Sequence, residues 1–447
     1  MRSKGNTIRM IGCIVAPLAA AMVVTLAAAP AVQAATTYTS VSAGGDWQTN
    51  STWGATSTSY PGATAAGDTA NIATATGSAA VTLSGSVPIP NSLSAVNISE
   101  GGTLSLESTA SGTALTTTGA VKVGTSNTSS GIANLNVTAG NYSFQTLSVG
   151  STSEGLADQS GGAITVGAGG FYGGDNHTAN SAYTITGGTL TVTGFYKGGN
   201  GGDFTLDVAG GTFDMQNAAF VTYGTGNGTI DLNGGTFQTT NGISSGVAGA
   251  SINASTVYGT STVNFNGGTL TAEANNVTLL TSNVTQANVQ AGGAVFDTNG
   301  FTATVAQSLL HDASLAGTDG GLTKNGTGTL NLTGTGNTYN GNTTVNAGTL
   351  QINSAFLAST STVSIASGAF MNLSYTGTDT VAALYLNGVA QANGIYGASP
   401  SLLGSSYFKG SGTLTVDGVA VPEPASLALY GLGMAGLLLV GRRRQTR

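Results

Sequence analysis

One five-residue phrase governs what this chain can fold into: a glycine, a threonine, a bulky apolar residue, a variable residue and a second apolar residue. It stands at residues 102–106, 188–192, 211–215, 268–272, 328–332, 348–352 and 412–416, with a looser copy at 235–239 and a variant at 162–166. From Ala163 the copies recur at Thr189, Thr212, Thr236, Thr269, Thr329, Thr349 and Thr413. Most neighbours lie about 20–33 residues apart, the size of one turn of a β-solenoid. The two longer gaps, before Thr329 and before Thr413, read as two or three such units. Alternation puts Leu190 and Val192, or Leu350 and Ile352, on the inner side of a strand and the threonines outside. The leading glycine lets the backbone take a tight corner, and Asn233-Gly234 and Asn266-Gly267 mark further turns. One coil cannot bury its own apolar edges, so coils must stack. The expected fold is all-β, a right-handed parallel β-helix (β-solenoid). Leu190, Val192, Phe213, Leu270, Leu330, Leu350 and Ile352 should share one continuous core. A β-sandwich also has many short strands, but it has no reason to repeat a phrase at this period.

Composition agrees with strands. Glycine supplies 70 of 447 residues, and Thr, Val and Ile are abundant where Glu, Lys, Arg and Gln are nearly absent. At 40% hydrophobic residues the chain is too apolar for disorder. The body, residues 35–420, has four lysines (Lys122, Lys197, Lys324, Lys409), no arginine and 17 acidic residues, for a net charge of −13. That balance offers no footprint for nucleic acid and disfavours anionic lipid surfaces.

Both ends carry address information. At the C-terminus Val421, Pro422, Glu423 and Pro424 precede an apolar run over 425–441 and then Arg442, Arg443 and Arg444. The run is 17 residues, the lower edge of a bilayer-spanning helix at ~1.5 Å per residue. The arginines should act as a cytoplasmic stop and leave the body outside. In this order the residues resemble the PEP-CTERM sorting signal, over 421–447. The resemblance implies an exosortase-type processing enzyme as partner, with processing near the Pro-Glu-Pro motif, and attachment to the membrane through the C-terminal helix before that. The chain is therefore expected to be exported, first as an inner-membrane anchored precursor and then at the cell surface or outside. At the N-terminus Arg2, Lys4 and Arg9 precede an apolar core, and Val32-Gln33-Ala34 suits cleavage of a 1–34 signal peptide between Ala34 and Ala35. The core is long, so an uncleaved anchor is the alternative. The one cysteine, Cys13, lies inside this segment, so the exported body must be stable without disulfides.

A second resemblance lies inside 318–354. Residues 322–330 hold a lysine-x-glycine-x-glycine-threonine-leucine pattern; Tyr339-Asn340-Gly341 and then 345–350 complete it. This is similar to the autotransporter-associated β-strand repeat, which implies a piece of parallel β-helix in a secreted passenger. The departure is that this chain ends in one apolar helix rather than a translocator barrel, so export through its own barrel is not expected. Trp47 and Trp53 suggest an N-terminal cap over the first coil. Residues 380–418 read as a C-terminal cap, with a type I′ hairpin at Asn387-Gly388 and closure by Tyr396, Tyr407 and Phe408.

Chemistry is sparse. Metal sites need convergent ligands, and the two histidines, His177 and His311, are far apart. Each stands beside a carboxylate, in Asp175-Asn176-His177 and His311-Asp312, where a surface turn is the simpler expectation. No nucleophile elbow or phosphate loop is evident. Residues 198–206 are similar to a calcium-binding nonapeptide, but the apolar position is off by one and no tandem copy follows. Asp203, Asp207, Asp214 and Asp231 are the densest carboxylates; Asp207 and Asp231 are about one coil apart and could stack. A glycan hydrolase would need such a pair. A lyase would need an arginine or lysine base, and the four lysines are far apart in sequence. Outward Thr-x-Thr ladders could offer hydroxyls to glycans, or serve only as good strand residues. The expectation is no enzyme, no catalytic residue, no metal and no cofactor. The chain should be a structural or adhesive surface or extracellular-matrix protein, with extracellular polysaccharide as a possible partner. The alternative is a β-helix polysaccharide-active enzyme, a hydrolase or lyase.

Overall fold

The computed structural model describes residues 34–54, 56–72, 79–125, 131–175, 180–246 and 258–418. By its contacts the chain forms two units, Met1–Ala34 and Ala35–Arg447. The described residues of the second unit form a parallel β-solenoid of about 12 turns. Among the described residues its one helix is a single 3-10 turn, Asn50–Trp53.

One turn shows the plan. Ser181–Ile185 lies on a first face, Thr189–Val192 on a second and Tyr196–Lys197 on a third. The next turn repeats this with Phe204–Val208, Thr212–Met215 and Ala219–Phe220. Each strand pairs in parallel with its counterpart one turn on: Tyr183 with Leu206, Leu190 with Phe213, Tyr196 with Ala219. Long strands such as Asn141–Val149 and Ser261–Ala272 run round a corner with a register slip at the bend.

The corner glycines explain the repeated phrase. Gly188 has φ +74°, and a Cβ there would lie 2.3 Å from the carbonyl oxygen of Gly162 in the turn below. Only glycine fits that stack. The phrase does not, however, mark a fixed place in the coil. The copies beginning at 189, 212, 236 and 269 are on the second face, whereas Thr329–Leu332 and Thr349–Ile352 are on the third and Gly102–Glu107 is on the first. It encodes a corner followed by a strand, and three faces use it, so its spacing only approximates the coil length.

The core is as the alternation requires. Leu190, Val192, Phe213, Leu270, Leu330, Leu350 and Ile352 are all fully buried in one cluster. One inner position breaks the rule. The column Leu190, Phe213, Phe237, Leu270, Phe296 continues through Lys324 to Val345. Lys324 is fully buried, and its Nζ donates to Thr298 Oγ1 at 2.9 Å and to the carbonyls of Asn325 (2.7 Å), Gly326 (2.7 Å) and Ala347 (3.2 Å). Burial pulls its pKa down to about 8, opposed by the nearby Asp297 carboxylate.

Asparagine amides tie successive turns together on the outside: Asn97 to Asn71, Asn266 to Asn233, Asn288 to Asn264 and Asn346 to Asn325. Turn length varies without loss of register. The steps from Asp207 to Asp231 and from Asn264 to Asn288 each take 24 residues, whereas Asp231 to Asn264 takes 33. The first face ends at Leu310–His311. Beyond it the register repeats after 21 and then 20 residues, Leu322 to Thr343 to Val363.

The two ends differ from the middle. Trp47 and Trp53 are buried edge to face at 5.0 Å, and their indole N–H groups donate to the carbonyls of Pro61 and Trp47. At the other end Ala383–Leu386 pairs antiparallel with Val389–Ala390 around Asn387 (φ 51°) and Gly388 (φ 77°), the type I′ signature. A small three-stranded sheet, Thr378–Val381, Gly394–Gly397 and Thr413–Val416, completes the cap with buried Tyr396 and Phe408.

Candidate functional site

The aspartates separate into three places. Asp207 and Asp231 are direct register partners on the outer side of the first face, so their spacing does stack them on neighbouring rungs. Each accepts an amide from a later turn: Asn233 Nδ2 to Asp207 at 2.9 Å, Asn264 Nδ2 to Asp231 at 2.7 Å. Partial burial and the Asp207 charge hold the Asp231 carboxyl above its ordinary pKa, against the Asn264 hydrogen bond. Asp203 sits at a corner, where it accepts from the Asn227 backbone and side chain at 2.8 and 3.2 Å. That is turn-holding work, in the segment similar to a calcium nonapeptide. Asp214 is on the second face, nearly buried, accepting from Thr191 Oγ1 and Gln216 Nε2. Burial and the Asp214 carboxylate push the Glu273 carboxyl up. Sequence reasoning missed Glu273, which comes near only through the stacking of turns.

His177 lies outside the described residues. His311 is held not by its neighbour Asp312 but by Asp319, with Nδ1 and Oδ2 2.9 Å apart. Asp319 is buried and also accepts backbone N–H groups of Gly321, Asn340 and Gly341 at 2.8–2.9 Å. The carboxylate thus anchors two loops and fixes one imidazole. Asp68 and Asp379 are likewise buried and likewise accept backbone N–H groups of loops. Among the described residues no three His, Cys, Asp or Glu side chains are grouped to hold a metal ion.

The third face is different. Its outward-alternating column passes in register from Asn71 through Asn97, Lys122, the buried Ser148 and Tyr172 to Lys197 and the buried Phe220. Two of the four body lysines, far apart in sequence, therefore stand on one line three rungs apart. A cleft of about 430 Å³ around Lys122 is lined by Asn71, Asn97, Ser99 and Ser151. Two other clefts, of about 250 and 440 Å³, lie further along, around Tyr385 and around Lys409. None of the three is lined by Asp207 or Asp231. Three rungs on from Lys122, Lys197 Nζ stands 4.1 Å from the Tyr223 ring centre, 5.2 Å from Tyr172 and 5.7 Å from Phe195.

Ala34 and Ala35 are both exposed. The sorting residues Val421, Pro422, Glu423 and Pro424, the apolar run and Arg442 to Arg444 lie outside the described residues. Among the described residues no helix is long and apolar enough to cross a membrane.

Comparison with known families gives two matches. Residues 322–352 match the passenger-associated transport repeat, and residues 420–444 match the PEP-CTERM protein-sorting motif. The first coincides with the coils around Lys324. The second implies an exported protein that an exosortase recognises, with a surface or extracellular destination. No curated protein matches the chain, and no solved structure does.

Proposed function

We propose that this chain is a non-enzymatic scaffold of the cell surface or extracellular matrix. It is delivered as a membrane-held precursor and released or transferred when its tail is processed. The observation that carries this is the PEP-CTERM match at 420–444 following directly on a closed solenoid. The solenoid supports a mechanical role. Its core is continuous, its turns are cross-tied by asparagine amides, and both ends are capped. Its stacked Asp207 and Asp231 are each engaged by an asparagine, which suits a structural pair better than an acid and a base. In the precursor the 425–441 run would hold the membrane, with Arg442 to Arg444 inside. Signal removal would fall between Ala34 and Ala35. Proline fixes the backbone at 422 and 424 and keeps the motif extended for a protease. The test is Pro422→Ala/Pro424→Ala in a host with an exosortase. A full-length, membrane-held precursor should accumulate. Processing at the wild-type rate would reduce the tail to an anchor and sink the sorting reading.

A further inference from the structure

We propose that the outer column of the third face is a binding strip for an acidic polysaccharide, one whose sugars carry carboxylates. The proposal rests on the matrix role above and names its ligand class. Three observations meet on the strip. The first is charge. The body carries −13, yet Lys122 and Lys197 line up on this column, and the column from Asn71 to Phe220 holds no carboxylate. Of the other two lysines, Lys324 is buried and Lys409 lies 3.9 Å over Phe370 at the far end. The accessible lysines between the N-terminal cap and Lys324 therefore stand on one line of an otherwise acidic surface.

The second is an aromatic shelf. Phe195 is 44% exposed, packs 6.1 Å from Phe220, and Phe220 lies 5.6 Å from Tyr223. Tyr172 and Tyr223 flank Lys197. Phe195, exposed beside a cation and backed by the buried Phe220, suits a flat, partly apolar sugar ring that carries a negative group. The third is the cleft. Amides and hydroxyls from Asn71, Asn97, Ser99 and Ser151 line it together with Lys122. Hydrogen-bonding groups in a cleft and rings on a shelf recur along one axis. Three rungs at ~4.8 Å put the two lysines roughly 14 Å apart. A linear chain lying along the column would meet cleft and shelf together, and each contact raises the local concentration for the other.

The test uses the full chain in mild detergent, run by affinity electrophoresis through gels containing alginate, a polyuronate, or dextran, a neutral glucan. Alginate should retard the wild-type chain, less so as salt is raised, and dextran should not. Lys122→Gln, at an exposed position, and Phe195→Ser should each weaken alginate retardation by tenfold or more, with unchanged circular dichroism. Equal retardation by dextran would overturn the charge assignment. Equal retardation of the variants would move the site off this strip. If neither polymer binds but the wild type self-associates and Phe195→Ser does not, the shelf is a contact between two copies and the proposal fails. None of these variants touches the tail, so tail processing reports on the sorting reading independently.

Discussion

Replacing Lys324 with methionine should loosen the turns around it by about 2–4 kcal/mol. Methionine keeps most of the length and the apolar stem of the lysine, so the loss isolates the ammonium. Two carbonyls, Asn325 and Gly326, sit 2.7 Å from Nζ, with Thr298 Oγ1 and the Ala347 carbonyl further out. Each buried carbonyl left without a donor costs roughly 1–3 kcal/mol. Against this, the variant no longer desolvates a cation, which is why the net is set well below the sum. The turns of a solenoid unfold locally, so one global midpoint would blur the effect. Hydrogen exchange on peptides covering 294–352 is the suitable assay, and a loss of that size lowers their protection by roughly 30- to 700-fold. Lys409→Met removes an exposed cation and should leave the same peptides unchanged. The pH dependence follows from the folded pKa of about 8 lying below the ordinary value of 10.5. The unfolded chain then binds more protons between these values, so wild-type stability rises as pH climbs through that window. The gap between wild type and Lys324→Met should therefore widen as the pH is raised through the same window. A variant as well protected as wild type, or better, would show that the ammonium is a net cost and refute the argument.

Two further substitutions probe other features. Gly188→Ala combines a φ of +74° with a Cβ 2.3 Å from a carbonyl, while Gly368→Ala has φ +75° and open space; the first should lose more than the roughly 1–3 kcal/mol of strain alone, the second no more than that, by hydrogen exchange on peptides covering each corner. Asp231→Asn should stabilise the first face by roughly 0.2–1 kcal/mol at neutral pH, because it removes a partly buried charge and relieves a like-charge rung with Asp207. Since the folded pKa of Asp231 is raised, that gain should vanish as the pH drops through the carboxylate range, and its persistence below that range would refute the cause given.

Much of the fold was legible because it depends on local alternation. The inner side of Leu350 and Ile352 follows from a period of two, and the hairpin follows from Asn387-Gly388. Lys324 alternates with Leu322 and so lies inward, a position its charge concealed; its carbonyl nest, built from two turns, left no local signal. The site divides along the same line. Asp207 and Asp231 could be paired because one coil separates them. Lys122 and Lys197 could not, because three turns of unequal length intervene. Their distance in sequence had argued against any joint role. Asp319 escaped notice because its loop doubles back on His311 over a stretch that carries no periodic signal.

The unequal turns have a use of their own. Between Asp231 and Asn264 the path is longer than on either side, 33 residues against 24, yet the strands above and below meet in unbroken register. Register is held by the stacked strands, and what the chain does between strands is free to vary. Such a body behaves as a ruler with graduations about every 4.8 Å. Foreign peptides spliced between strands would hang at a known height without disturbing the scale. A lineage that keeps the strands can rewrite the corners one by one, acquiring new attachments while the length and stiffness of the backbone stay the same.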